Sequence, residues 1–177
     1  GGTLSSFTGV SSTSYTVVFT PTASTQSGTG SISVASGAFT DAASNANTAS
    51  SSTSITYDTQ VPTISSFSSS TADGSYKVGS TINITATASE AVQSGNTLTV
   101  TLDTGATVTL TAASAGTSLT GTYTVASGNS SSDLTVSSFT IGTVADTAGN
   151  AMTSTTVPSG ASNIAGSKAL VIDGVVP

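Results

Sequence analysis

Carboxylates carry nearly all the chemistry this chain can offer. There are eight: Asp41, Asp58, Asp73, Glu90, Asp103, Asp133, Asp146 and Asp173. Against them stand only Lys77 and Lys168, for a net charge of −6. His and Cys are both absent, so neither the familiar triads nor a thiol nucleophile can be built. A Ser–Lys dyad would need Lys77 or Lys168. Both lie among Gly and Ser in apparent loops or strand starts, where an ammonium stays solvated. Glycoside hydrolysis needs two carboxyl groups converging in a cleft, and eight dispersed acids, mostly in turns, give no such sign. No enzyme is expected. What carboxylates and amide carbonyls do well together is hold calcium, which takes several oxygen ligands. The candidate ligands are Asp58, Glu90, Asp146 and Asn150. They lie far apart in sequence, so only the fold can bring them together.

The elements that must position them are strands. Charged residues are only 6% of the chain and hydrophobic residues 36%. Ser and Thr together make up about 40%, far above ordinary usage. Low charge can mark disorder, but here the apolar residues alternate with Thr and Ser, the period of a half-buried strand. β-Branched side chains suit a pleated surface. Ile82, Ile84, Ala86 and Ala88 share one face, with Asn83, Thr85 and Thr87 on the other. Leu98, Val100 and Leu102 repeat the pattern, and Asp103-Thr104-Gly105-Ala106 reads as a hairpin into Val108 and Leu110. Further strands run over Thr63 to Phe67, Leu119 to Val125, Leu134 to Ile141 and Ala169 to Ile172, with a long segment from Ala145 to Ser167. About seven short strands separated by turns predict a β-sandwich. No segment holds a helical period over ten residues.

Two phrases occur twice in the same order. Asp41-Ala42-Ala43-Ser44-Asn45-Ala46 is matched by Asp146-Thr147-Ala148-Gly149-Asn150-Ala151. Tyr57-Asp58-Thr59-Gln60-Val61-Pro62 is matched by Ile172-Asp173-Gly174-Val175-Val176-Pro177. Such repetition means tandem modules. Residues 1–58 correspond only to the later part of a module, with Tyr15, Val17 and Phe19 as an expected core strand. Residues 59–62 form a linker stiffened by Pro62. Residues 63–177 make a complete module ending in the next linker. A half sandwich leaves open edges and half a core. Either the native chain continues upstream, or strands from a neighbouring copy fill the gap.

Gly37 to Asn47, Ile55 to Pro62, Ala72 to Gly79, Ala88 to Val92 and Lys168 to Gly174 together resemble the bacterial Ig-like repeats of giant secreted adhesins and surface-layer-type proteins. The resemblance implies an all-β fold of tandem Ig-like β-sandwich modules, the first incomplete at its N-terminus. In that topology the start of the first strand, the second-to-third-strand loop and the last inter-strand loop share one end. Asp58, Glu90 and Asp146 with Asn150 are expected to meet there as a calcium site at the module junction, and the resembled adhesins bind calcium at such junctions. Asp41 and Asn45 form a partial site upstream, and Asp173 another downstream. Asp73 lies at the opposite end, toward that downstream joint. Asp103 and Asp133 read as turn residues. At position 44 the usual Gly is replaced by Ser, so the first Asp loop is expected to be tighter or less well formed.

Two sequons, at Asn83 and Asn129, are candidate glycosylation sites on solvent-facing positions. An isopeptide bond between Lys168 and Asn163 would need apolar surroundings that the sequence does not supply. Partners follow from charge. A nucleic-acid binder needs a basic face, which two lysines cannot make, and no stretch is apolar and long enough to insert in a membrane. The expected partners are neighbouring modules of the same chain, and other copies of it. Together these point to a structural spacer segment of a large extracellular surface protein: an adhesin stalk, surface layer or fibre. Two lysines and no arginine leave trypsin-like proteases little to cut. A self-assembling filament or sheath subunit is the first alternative. A carbohydrate-binding module is the second; it requires aromatic residues exposed together on one face.

Overall fold

The computed structural model describes residues 1–175; Val176 and Pro177, the end of the second repeated phrase, lie outside the described residues. The chain is all-β, with no α-helix among the described residues, and divides into two compact units, Gly1–Gln60 and Val61–Pro177.

The first unit consists of two hairpins. β1 (Gly2–Gly9) pairs antiparallel with β2 (Tyr15–Pro21), placing Leu4 opposite Phe19 and Thr3 opposite Thr20. β3 (Gly28–Ile32) pairs antiparallel with β4 (Thr53–Tyr57), placing Gly30 opposite Ile55. The hairpins meet through Phe19, whose ring lies 6.0 Å from that of Tyr57 in an edge-on arrangement. Gly30 is needed at that contact. A Cβ there would fall 2.6 Å from the Phe19 ring. Beyond it the interior is unfinished. Phe7 is 73%, Tyr15 56% and Phe39 60% exposed. The expected core strand is therefore only partly realised: Val17 and Phe19 are half-buried, while Tyr15 stands open and stacks on Phe7 at 5.3 Å. The reason is topological. Each hairpin here is a sheet of two strands, with no third strand to cover that side of β2.

The second unit holds a sandwich-type core. Its strands are β5 (Ile64–Ser68), β6 (Gly74–Lys77), β7 (Thr81–Val92), β8 (Thr97–Leu102), β9 (Thr107–Thr111), β10 (Gly116–Thr124), β11 (Ser130–Ser131), β12 (Val136–Thr143) and β13 (Leu170–Asp173). One sheet of six runs in the order β12-β8-β9-β10-β7-β5, and a smaller one in the order β11-β13-β6. The large sheet curls through β9, which is paired to β8 over five residues but to β10 only at Thr111–Thr120. β13 runs parallel to β6 and antiparallel to β11. The turn at Leu102 to Ala106 closes as the sequence predicts, with Leu102 N donating to Ala106 O at 2.9 Å.

Period-2 alternation becomes burial. Ile82, Ile84, Ala86 and Ala88 of β7 point inward, as do Leu98, Val100 and Leu102 of β8. They meet Leu110, Leu119, Tyr123, Leu134 and Leu170 in one core, in which the rings of Phe67 and Phe139 lie edge to face at 5.6 Å. Each of the larger aliphatic and phenyl side chains contributes about 1.5–3 kcal/mol by leaving water. The long segment after β12 is closed by two 3-10 turns, Gly160–Ser162 and Ile164–Gly166, around the buried Asn163.

Candidate metal centre

Glu90 owes its position to its place on β7. It continues the inward-facing series Ile82, Ile84, Ala86, Ala88, and is 5% exposed. Two residues later, Val92 forms an antiparallel bridge with Asp146. Gln93 reinforces the link, its N–H donating to Ala145 O and its Nε2 to Asp146 O. The Asp146 loop is thereby held against the end of β7, and Asp146 is 1% exposed.

The loop itself is built by Asp146 and Asn150. Asp146 N donates to Asn150 O, Asn150 N donates to Asp146 Oδ1 at 2.8 Å, and Asn150 Nδ2 donates to Asp146 Oδ2 at 2.7 Å. Burial alone pushes the Asp146 carboxyl up. The Asn150 amide and the backbone N–H groups of Asn150, Gly149 and Ala148 outweigh it and hold the group below the ordinary carboxylate value. Asp146 is thus kept ionised in a place that water barely reaches. Asn150 turns its NH2 end to Asp146, so its first role is to orient that carboxylate.

Asp58 reaches the same place along the chain. Gln60 N donates to Asp58 Oδ1 at 3.0 Å, a local turn. Three residues further on, Thr63 and Ser89 exchange bonds, Thr63 N to Ser89 Oγ and Ser89 N to Thr63 O. The segment after Asp58 is therefore tied to the residue that precedes Glu90. Asp58, Glu90 and Asp146 each offer a carboxylate oxygen, all within 4.8 Å of one another. Calcium–oxygen distances of 2.3–2.6 Å allow ligand oxygens up to about 5 Å apart, so the spacing and the all-oxygen donor set suit that ion. If all three were ionised with no counter-ion, they would repel by about 3–4 kcal/mol per pair at an effective dielectric near 20. A proton on one of the three or a cation between them would relieve this, and the donors around Asp146 disfavour the proton on Asp146 itself.

The other expected ligands are spread out. Asp41 and Asn45 form a loop with the same internal bonds as Asp146 and Asn150: Asp41 N to Asn45 O, Asn45 N to Asp41 Oδ1 and Asn45 Nδ2 to Asp41 Oδ2. The loop is not tighter or less formed for having Ser44 in place of Gly. Ser44 instead adopts φ +67°, the left-handed region that Gly149 occupies at φ +98°. The Asn45 amide, then its backbone N–H, hold the exposed Asp41 carboxyl below its ordinary value, slight burial opposing and the Ala43 N–H assisting. Asp173 lies at the end of β13 and accepts from Val175 N.

Three acids that read as turn residues or as a far-end ligand tie the second unit together. Asp103 accepts from Ser131 Oγ and Thr135 N, Asp133 accepts from Leu170 N, and Asp73 accepts from Ala169 N. Lys168 is half-buried and lies 3.9 Å from Asp73, rather than standing solvated. Both sequon asparagines are half-buried with engaged carbonyls. Asn83 Oδ1 accepts from Ser70 and Thr85, and Asn129 Oδ1 from the Tyr123 hydroxyl and Ala126 N. Asn163 spends its side chain on Val136, Ile164 and Pro158, a structural use that sequence reasoning did not see.

Residues 1–57 match the family model described as a bacterial Ig-like domain, which supports reading the chain as Ig-like repeats. Neither a curated protein nor a solved structure matches it. Among the described residues, no helix is long and apolar enough to cross a membrane.

Proposed function

We propose that this Ig-like chain is a structural spacer segment of a large extracellular surface protein, stiffened by calcium where one module leads into the next. The observation that carries the proposal is the approach of three carboxylates, with Glu90 and Asp146 both buried. Asp58, Glu90 and Asp146 would hold the ion, and Asn150 would fix the orientation of Asp146. A cation there neutralises charges that otherwise repel, and fixes the segment after Asp58 to the end of β7. The second unit itself serves a load-carrying role, with a continuous core and polar side chains used as ties. The low charge and the hydroxyl-rich faces leave a hydrated surface with few strong attractions.

Thermal unfolding of the whole chain tests the metal. A ligand bound only by the folded state stabilises by about 2.7 kcal/mol at a hundredfold excess over its Kd. Calcium is expected to raise the unfolding midpoint of the second unit, and chelator to lower it again. An unchanged midpoint in both directions sinks the metal clamp and leaves a spacer held by its core alone.

A further inference from the structure

The strand β2 has a counterpart in the second unit. Ser14-Tyr15-Thr16-Val17-Val18-Phe19-Thr20 aligns with Ser118-Leu119-Thr120-Gly121-Thr122-Tyr123-Thr124 of β10: Ser14, Thr16 and Thr20 match Ser118, Thr120 and Thr124, and Tyr15 and Phe19 match Leu119 and Tyr123, while Val17 and Val18 stand where β10 has Gly121 and Thr122. Downstream of each comes a loop with one set of bonds, Asp41 to Asn45 and Asp146 to Asn150. The environments of the two strands differ. β10 has a strand on each edge, β9 and β7; β2 has only β1. Leu119 and Tyr123 are buried, whereas Tyr15 is exposed and Phe19 half-buried. Beside β2 lies an apolar groove of about 580 Å³, walled by Phe7, Tyr15 and Val17 on one side and by Val34, Ala38 and Phe39 on the other. The only acids of this unit are Asp41 and Asp58, and neither lines the groove.

We propose that the open edge of β2 is a strand-acceptor site. Its occupant is an extended polypeptide segment of the chemistry of β7: uncharged along most of its length, with β-branched and small apolar residues alternating with Thr. The second unit supplies the register. There Ile82 faces Tyr123, Ile84 faces Gly121 and Ala86 faces Leu119. By the same pairing the guest lies antiparallel to β2, its first Ile opposite Phe19, its second opposite Val17 and its Ala opposite Tyr15. The small Ala leaves room for the Tyr15 ring. Main-chain bonds along the free edge supply affinity and the alternate side chains supply selectivity, as in other strand-addition complexes. The guest also completes the Asp41 loop, because β7 is the strand that lays Glu90 beside the equivalent Asp146. The exposed aromatics, which a sugar-binding face would also display, are accounted for as half of a core.

The test uses the full 177-residue chain and a synthetic peptide with the sequence Thr81 to Val92. Saturable one-to-one binding is expected, followed by amide NMR. Shifts should fall on Tyr15, Val17 and Phe19, with slowed hydrogen exchange along β2. A peptide carrying Ile82→Asp and Ile84→Asp should bind at least tenfold more weakly. This control changes only the guest, so it cannot unfold the host. Absence of binding overturns the proposal. So do shifts centred on Leu119 and Tyr123, which would mean strand exchange in the second unit, and equal binding by the control peptide. Perturbation of the β2 aromatics by a soluble oligosaccharide but not by the peptide assigns the groove to sugar and overturns it likewise.

Discussion

Val92 and Asp146 face each other across a single antiparallel bridge, and that bridge is what lays Glu90 alongside a second buried carboxylate. Without it, the end of β7 and the loop after β12 would be separate surface features. The expected consequences of this arrangement can be measured one by one.

Glu90→Gln removes one charge from the trio while keeping its shape. With chelator present, the variant should be more stable than the parent, by up to about 3 kcal/mol, because repulsion is relieved. With calcium in excess, the order should reverse or the gap close, since one ligand charge is gone. Thermal melts in both buffers check this. A calcium shift equal to the parent's would remove Glu90 from the ligand set.

The Asp loops differ at one backbone position, and the difference is testable in both directions. A left-handed conformation costs a non-glycine residue about 1–2 kcal/mol. Gly149→Ser should destabilise the second unit by about that amount in urea unfolding, and Ser44→Gly should stabilise the Asp41 loop. For the latter, slower hydrogen exchange at the Asn45 amide is the readout. If exchange there is unaltered, the φ of +67° at Ser44 carries no cost.

Acid should act on both loops. The carboxyls of Asp41 and Asp146 are held below their ordinary values in the folded chain. A depressed carboxyl contributes stability that is fully present above its unfolded pKa of about 3.9 and is lost as pH falls through the lower folded value. Stability is therefore expected to fall with acidification below about pH 4. Asp146→Asn should flatten that dependence for the second unit, and an identical acid limb would contradict the assignment.

Asn163→Ala should be among the more damaging polar-to-small changes. Its amide oxygen accepts from Val136 and Ile164, and its nitrogen donates to Val136 and Pro158. Each buried group left unsatisfied costs about 1–3 kcal/mol, so a loss of about 2–4 kcal/mol is expected in urea unfolding. A loss below 1 kcal/mol would mean that water replaces the amide without penalty.

Much of this was legible in the residues. Period-2 runs such as Ile82 to Ala88 can only bury one face, so β7 and β8 appear where alternation places them. The repeated Asp-x-x-x-Asn phrase folds into the same loop twice because the bonds are local: the side chains need only reach their own backbone and each other. Tyr15 shows where local pattern runs out. Alternation says which face a residue is on, but burial requires another strand to be present, and that depends on the rest of the sheet. The same limit applies to Asn163, Asn83 and Asn129. Some of their partners are distant, as Ser70 is from Asn83 and Val136 from Asn163, and others, Thr85 and Tyr123, sit on neighbouring stretches of strand. Nothing in their immediate sequence distinguishes a tie from a solvated amide.

The parallel pairing of β6 with β13 bears on how the second unit would respond to tension along the chain. Force applied at Val61 falls first on β5, paired to β7, and then draws β6 backward while the pull at Asp173 draws β13 forward. The two strands are then loaded in shear, so the four residue pairs from Leu170–Gly74 to Asp173–Lys77 must yield together and not peel apart in turn. Resistance of that kind is set by an unfolding rate. A module can therefore be strong under load while its equilibrium stability is ordinary.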